Sequence, residues 1–177
     1  SQNLWKFAVY SGLRHGELAA LAWEDVDLEK GIVNVRRNLT ILDMFGPPKT
    51  NAGIRTVTLL QPALEALKEQ YKLTGHHRKS EITFYHREYG RTEKQKLHFV
   101  FMPRVCNGKQ KPYYSVSSLG ARWNAAVKRA GIRRRNPYHT RHTFACWLLT
   151  AGANPAFIAS QMGHETAQMV YEIYGMW

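Results

Sequence analysis

Two arginines in distant parts of the chain have the chemistry to bind a phosphate ester. Arg14 follows a glycine break, and Glu17 lies one helical turn further on, where its carboxylate can orient the guanidinium. Arg141 falls in the opening turn of a predicted helix whose next residues are apolar, which aims its side chain into a cleft. Guanidinium groups donate paired hydrogen bonds to the non-bridging oxygens, where negative charge develops during phosphoryl transfer. The two arginines therefore indicate chemistry on a phosphate.

Two tyrosines near the C-terminus are candidates for the nucleophile. Tyr171 and Tyr174 lie at positions i and i+3 of a predicted helix, so their spacing alone does not separate them. A phenol has an ordinary pKa near ~10, and it therefore needs cationic neighbours and a proton acceptor at neutral pH. An ester between tyrosine and phosphate keeps the energy of the phosphodiester bond that was broken, so that bond can be formed again without ATP.

His164 and Lys49 can assist such a reaction. His164, at the end of a predicted helix, can hydrogen-bond a phosphate oxygen, although the helix dipole alone also favours a histidine there. Lys49 is a suitable general acid for a leaving oxygen, because an ammonium on a loop can follow the substrate. A lysine in such a loop can equally be an exposed charge without a role.

The elements that must position these residues are mostly helices with a small three-stranded antiparallel sheet, an α+β fold. Strands are predicted at 31–42 and 54–60, where apolar residues alternate. The turn-rich segment 45–53 between them predicts a β-hairpin with its loop around Lys49. Helices are predicted before Gly12, at 17–23, from Pro62 to Tyr71, from Ser117 or Ser118 to Gly131, at 140–151, from Asn154 to Gly163 and at 166–174.

Two further segments carry weaker signals. The polar and basic segment 73–97 predicts a long exposed connection containing a short strand at 82–85. The sequence 107–109, Asn-Gly-Lys, predicts a turn. Helical spacing is already present at Leu4, so we expect the chain to start inside a larger protein whose upstream part is absent.

Composition indicates a basic globular domain, which either binds a polyanion or simply has a solvated basic surface. The chain has 25 Lys and Arg against 13 Asp and Glu, a net charge of +12, which suits DNA, RNA or an anionic membrane surface. A length of 177 residues with 44% hydrophobic residues fits one packed domain, 1–177. No apolar run approaches the ~18–20 residues that cross a bilayer. Cys106 and Cys146 show no paired spacing, which favours a reducing cytoplasm over a disulfide framework.

Three segments together resemble the tyrosine recombinases of the phage-integrase family. They are Ser-Gly-Leu-Arg-His-Gly-Glu-Leu at 11–18, Pro-Tyr-His-Thr-Arg-His-Thr-Phe-Ala at 137–145, and Met-Gly-His at 162–164 with Tyr174 ten residues later. Lys49, upstream of Arg-Thr-Val-Thr-Leu at 55–59, sits where this family carries its catalytic lysine. The order and spacing of the segments span nearly the whole chain.

The resemblance implies a fold, a reaction and a set of roles. It implies the tyrosine-recombinase catalytic core and a metal-free, cofactor-free enzyme that cleaves and rejoins double-stranded DNA, in phage or mobile-element integration and excision. Tyr174, favoured over Tyr171 by the family's spacing from the histidine, would form a 3′-phosphotyrosine. The phosphate would be held by Arg14, Tyr138, Arg141 and His164, with Lys49 as general acid.

The resemblance also implies partners. The full-length protein would carry upstream DNA-binding domains and act as a homotetramer on paired DNA sites in a bacterial cytoplasm. DNA-bending or excisionase proteins could assist it, and this fragment would be a monomer. No membrane partner is expected.

The sequence departs from the family at one position and leaves alternatives open. Tyr138 stands where the family usually has histidine, and His139 is out of register by one. A tyrosine can donate a hydrogen bond to phosphate but carries protons poorly near pH 7. The chain could therefore be an impaired relic that only binds DNA. A type IB topoisomerase, a metal site at His139 and His142 or at 76–77, and a thiol catalyst at Cys146 are further alternatives.

Overall fold

A computed structural model describes residues 2–104 and 111–175, apart from the side chains at 174 and 175. The expected turn at 107–109 and Cys106 lie outside these residues. Seven α-helices are described: α1 Gln2–Ser11, α2 His15–Ala19, α3 Gln61–Thr74, α4 Val116–Arg129, α5 His139–Thr150, α6 Pro155–Met162 and α7 Gln168–Gly175. Seven strands accompany them: β1 Val26–Asp27, β2 Ile32–Val35, β3 Asn38–Leu39, β4 Phe45–Gly46, β5 Arg55–Thr58, β6 Ser80–Tyr85 and β7 Thr92–Leu97.

The predicted three-stranded antiparallel sheet is present, in the order β1-β2-β5. Its inner face is apolar, with Val33, Val35 and Val57 buried. Residue 55, at the start of β5, pairs with Val35, so the side chain of Arg55 shares the face of Val57 two residues later. The connection from β2 to β5 is not a simple hairpin, because it contains the separate β3-β4 pair.

A second sheet, in the order β3-β4-β6-β7, was not predicted. The short strand predicted at 82–85 is present as part of β6. The rest of the segment is not the expected exposed connection, because β7 pairs with β6 as a hairpin from Ser80↔Leu97 to Tyr85↔Thr92. Strand β7 reads Thr-Glu-Lys-Gln-Lys-Leu, without the apolar alternation that predicts a strand. Its partner β6 supplies the buried residues Ile82 and Phe84, and the parallel pair Phe45↔Phe84 joins this hairpin to β4.

The core consists of two clusters of buried apolar residues. The larger packs α1, α2 and α3 against the sheets, with Phe7, Leu18, Leu67 and Phe99 fully buried. The smaller joins α5, α6 and α7. None of the described helices is long and apolar enough to span a membrane.

Several helix boundaries differ from the predicted ones for local reasons. The α4 helix starts two or three residues earlier than expected, because its N-cap is Ser115, which accepts a hydrogen bond from the Ser118 amide, rather than Ser117 or Ser118. The helix expected at 17–23 begins at His15 and ends at Ala19, and a 3₁₀ turn follows at Trp23–Asp25. The Asn154 cap before Pro155 is confirmed.

Candidate active site

Arg14 is placed by a sharp break between α1 and α2. Gly12 has φ +69°, and a Cβ there would lie 2.6 Å from the Phe144 ring, so no other residue fits without displacing that ring. The Arg14 amide donates to Glu17 Oε2 at 2.9 Å, and Arg14 Nη1 donates to Glu17 Oε1 at 3.2 Å. The Arg14 side chain keeps 31% of its surface exposed. Glu17 therefore orients Arg14 and leaves it open to a ligand.

Arg55 is a buried partner of this pair that the sequence reading missed. Its Nη1 and Nη2 donate to the two oxygens of Glu17 at 2.9 and 3.0 Å. Burial opposes ionisation of Glu17, but the hydrogen bond and charge of Arg55 outweigh it and hold the pKa of that carboxyl below its usual value. The signal was available, because Arg55 alternates with buried Val57 and a charge on an inward face requires a partner.

The same arginine joins three segments that carry candidate residues. Besides Glu17, Arg55 donates from Nε to the Gln161 carbonyl at 2.7 Å and from Nη1 to the Gly53 carbonyl at 2.7 Å. Gly53 ends the Lys49 loop, and Gln161 lies three residues before His164. Arg55 therefore fixes the backbone of both segments relative to Glu17.

Arg141 is fully buried, and its guanidinium is held by backbone carbonyls. Its Nη1 donates to the Gly12 carbonyl and its Nη2 to the Met162 carbonyl at 2.9 Å. Burial, and then the charge of Arg14, lowers the pKa of Arg141 to about 10, so it stays protonated at neutral pH. Among the described residues its Nε has no hydrogen-bond partner. A buried donor without a partner is costly, so this N–H is an unsatisfied group inside the site.

His164 contacts Arg141 directly. Its Nε2 lies 3.2 Å from Arg141 Nη2. Arginine can only donate, so Nε2 accepts and the single ring proton lies on Nδ1. Burial, and then the charges of Arg141 and Arg14, lowers the pKa of His164 to about 4. This buried Nδ1 also has no partner in the part of the chain that the structure describes. His164 is thus a neutral imidazole with one unused donor.

Tyr138 lies over the arginine rather than in the core. It is the N-cap of α5, it is 43% exposed, and its ring centroid lies 5.6 Å from Arg141 Cζ. The ring also meets His142 edge-on at 5.2 Å. A cation over an aromatic face is attracted to it, so the ring holds Tyr138 beside the buried guanidinium. The phenol remains accessible to a ligand at that position.

Lys49 is exposed and lies between β4 and a 3₁₀ turn at Asn51–Gly53. It lines a cleft of about 440 Å³ together with Ile41, Leu42 and Arg87. The described contacts bring its loop to the site through the bond from Arg55 to Gly53, and no described contact joins the ammonium itself to the arginines.

The late tyrosines both belong to α7, which is packed by Val170 and Ile173 against α5 and α6. Tyr171 is 57% exposed. Position 174 comes one helical turn after buried Val170, and the Tyr174 side chain lies outside the described part. The choice between the two tyrosines therefore stays a prediction.

The described residues give little support to the other chemistries considered. His139 and His142 have ring centroids 5.3 Å apart, but no group of three potential ligands exists among residues 2–104 and 111–175. Burial raises the pKa of the Cys146 thiol, which disfavours the reactive thiolate.

Comparison with solved structures gives the class of fold. The Tn1549 transposon integrase, solved with transposon right-end DNA, superposes with a TM-score of 0.74 at 23% identity over 97% of this chain and 53% of that one. The XerA recombinase superposes with a TM-score of 0.69 at 24% identity, over 94% of this chain and 48% of that one. The fold is that of the tyrosine-recombinase catalytic domain, as predicted.

Sequence comparison gives the family. Residues 1–176 match the Phage integrase family, and the chain belongs to it. The putative defective protein IntQ from Escherichia coli K12 is 53% identical to this chain. The match covers 100% of this chain and 45% of IntQ. A XerC-like tyrosine recombinase from Caldanaerobacter subterraneus is 30% identical to this chain, and the match covers 97% of this chain and 44% of that protein. The chain therefore spans about half the length of the relatives it matches.

Proposed function

We propose that this chain is the catalytic part of a site-specific DNA recombinase that cleaves and rejoins strands through a 3′-phosphotyrosine. The observation that carries the proposal is the buried contact between Arg141 and His164. Each of these two side chains holds a buried N–H without a described partner, at Nε and Nδ1 respectively. These two buried donors, close to the partly exposed guanidinium of Arg14, would be satisfied by an anionic phosphate that reached them.

The residues divide the reaction among them. Arg14, Arg141, His164 and the phenol of Tyr138 hold the non-bridging oxygens of the scissile phosphate. The oxygen of Tyr174 attacks phosphorus, its proton passes to water, and the bond from phosphorus to the 5′-oxygen breaks. Lys49 gives a proton to that leaving oxygen. A 5′-hydroxyl from another strand then attacks the tyrosyl ester and reverses these steps, which rejoins the DNA.

The guanidinium groups supply the charge that a divalent ion supplies in many nucleases. Arg141 in particular is protonated at neutral pH despite its burial. We therefore propose that cleavage needs neither a metal nor another cofactor.

The partners follow from the reaction. We propose double-stranded DNA as the substrate, since the net charge is +12. The full-length protein would use upstream domains to clamp the duplex and would pair two sites as a tetramer in the bacterial cytoplasm. DNA-bending or excisionase proteins would set the direction of recombination.

A second candidate is a relic that binds DNA without cutting it. It is favoured by Tyr138 in place of the usual histidine and by the description of the 53% identical IntQ as defective. The intact set formed by Arg14, Glu17, Arg141 and His164 favours the enzyme.

A suicide substrate separates the two. The full-length protein is incubated with a duplex that carries the ends of its own mobile element and a nick beside the cleavage point, so that a short fragment diffuses away. We expect a covalent protein–DNA adduct that resists denaturation and is absent with Tyr174→Phe. DNA binding without any adduct would establish the relic instead.

A further inference from the structure

The loop that carries Lys49 is bound by Arg87, which lies in the turn of the β6-β7 hairpin. Arg87 Nη2 donates to the Pro48 carbonyl at 2.7 Å, and Arg87 Nη1 donates to Asn51 Oδ1 at 2.9 Å. The two acceptors lie on either side of Lys49 along the chain. One planar guanidinium therefore spans the segment that contains the lysine.

Arg87 itself has a defined position. It lies in the turn between β6 and β7, which is closed by bonds from the His86 amide to the Arg91 carbonyl at 2.9 Å and from the Arg91 amide to the Glu88 carbonyl at 3.1 Å. The β6 strand is paired with β4 at Phe45, three residues before Pro48. The arginine and the loop that it binds are thus joined through one sheet.

The far end of the same loop is fixed by Arg55 through the Gly53 carbonyl at 2.7 Å. The backbone from Pro48 to Gly53 is therefore held at both ends, while the Lys49 side chain remains exposed. A catalytic group that is held near its reactive position loses little entropy when the reaction begins. A displacement of about 1 Å can lower the rate about 100-fold. The bonds from Arg87 are of the kind that supplies such preorganisation.

We propose that Arg87 is a positioning residue for Lys49, through which the β6-β7 hairpin controls proton transfer to the leaving 5′-oxygen. The inference rests on the proposed function, in which Lys49 is the general acid. Arg87 touches neither the phosphate nor the leaving group in this proposal. Its loss leaves DNA binding and nucleophilic attack in place and removes the protonation that accompanies departure of the 5′-oxygen.

A sulfur leaving group tests this directly. A 5′-bridging phosphorothioate replaces the leaving oxygen with sulfur, whose thiolate departs without needing a proton. Single-turnover cleavage of ordinary and sulfur-substituted suicide duplexes is measured at saturating protein for the full-length wild type, Lys49→Met, Arg87→Met and Arg91→Met. Arg91 is the matched control, because it lies in the same exposed turn and its guanidinium bonds only to Glu88 among the described residues.

We expect Arg87→Met to cleave the ordinary duplex roughly 10- to 100-fold more slowly and the sulfur duplex at nearly the wild-type rate. Lys49→Met should show the same selective rescue with a larger defect, and Arg91→Met should match the wild type on both. The Kd for DNA should change less than about 2-fold in Arg87→Met.

The failures are distinguishable. If sulfur does not rescue Lys49→Met, the assignment of the acid is wrong and the inference is lost with it. If Lys49→Met is rescued but Arg87→Met is equally slow on both duplexes, or normal on both, Arg87 does not position the lysine. A weaker Kd with a normal rate at saturation would make Arg87 a DNA contact instead.

Discussion

Arg141 and His164 share a single hydrogen bond of 3.2 Å, in which the guanidinium donates and Nε2 of the imidazole accepts. This bond sets the tautomer of the histidine and keeps its ring neutral, since a protonated ring would face the cation with a second donor. The pair therefore carries one positive charge rather than two, together with two buried N–H groups that have no partner among the described residues. The predictions below follow from this arrangement and from its neighbours.

The first prediction concerns the pKa of His164. Burial and the nearby arginines lower it to about 4, so the imidazole should remain neutral from pH 8 to about 5. Histidine NMR resonances followed against pH should show one ring, lost in His164→Gln, that titrates far below the ordinary value near 6.5. Because the unfolded state binds the proton first, stability should fall as the pH drops from about 6.5 toward 4. A His164 resonance that titrates near 6.5 would contradict the neutral tautomer.

The second prediction concerns the buried pair of Glu17 and Arg55. Removing one partner leaves the other charge buried, so Glu17→Gln should lower the free energy of unfolding by about 3–5 kcal/mol at pH 7. The pKa of Glu17 is depressed, so its contribution is present above the unfolded value of about 4.3 and is lost as the pH falls through the lower folded value. Urea denaturation at several pH values should show the difference shrinking below about pH 4. Exposed Glu88→Gln is the control, and an equal loss there would contradict the argument.

The third prediction separates the two late tyrosines. Tyr174→Phe should abolish the covalent adduct while leaving DNA affinity nearly unchanged, because it removes only the oxygen that we propose as the nucleophile. Tyr171→Phe should form the adduct at close to the wild-type rate, because Tyr171 is largely exposed. Peptide mapping of the adduct checks both, and a phosphotyrosine on Tyr171 would reverse the assignment.

The fourth prediction concerns Tyr138. Tyr138→Phe keeps the ring over Arg141 and removes one neutral donor worth ~1–1.5 kcal/mol, so cleavage should slow about 10-fold. Arg141→Ala should be far slower, because it removes a charged donor and leaves the carbonyls of Gly12 and Met162 unpaired. Tyr138→His should retain activity and can raise it, since imidazole donates and also carries a proton near pH 7. If Tyr138→Phe were as inactive as Arg141→Ala, the tyrosine would have to carry a proton or attack the phosphate itself.

The last prediction is that chelators do not affect cleavage. In the proposed mechanism the two arginines and Lys49 supply the positive charge at the phosphate, so adduct formation in EDTA should equal that in magnesium. The comparison uses the same suicide duplex at matched ionic strength. Loss of the adduct in EDTA and its return with a divalent ion would contradict the mechanism.

Local signals made much of the fold predictable. The Asn154-Pro155 start and the Gly163 end of α6 act within a few residues, and both are observed. Strand β7 was not predicted, because its sequence is almost entirely polar and it forms a strand by hydrogen-bonding to β6. Local sequence does not report which distant strand completes a sheet.

The sequence predicted those site residues whose type and local spacing indicate their chemistry. Arg14 and Glu17 are three residues apart, and their predicted contact is confirmed. The roles of Arg55 and Arg87 depend on partners at sequence separations of 106 and 39 residues, Gln161 and Pro48. Such contacts exist only once the sheets have formed.

The polar character of β7 also has a consequence for how copies of this chain behave together. Among the described strands, β7 is the last of its sheet, and one of its edges has backbone donors and acceptors that no described strand pairs with. Lys94 and Lys96 are exposed along it, and a second copy approaching edge to edge would bring like charges together. We therefore expect the two lysines to disfavour edge-to-edge pairing. We expect valine at both positions to increase self-association of the chain, because it removes the like charges from that edge.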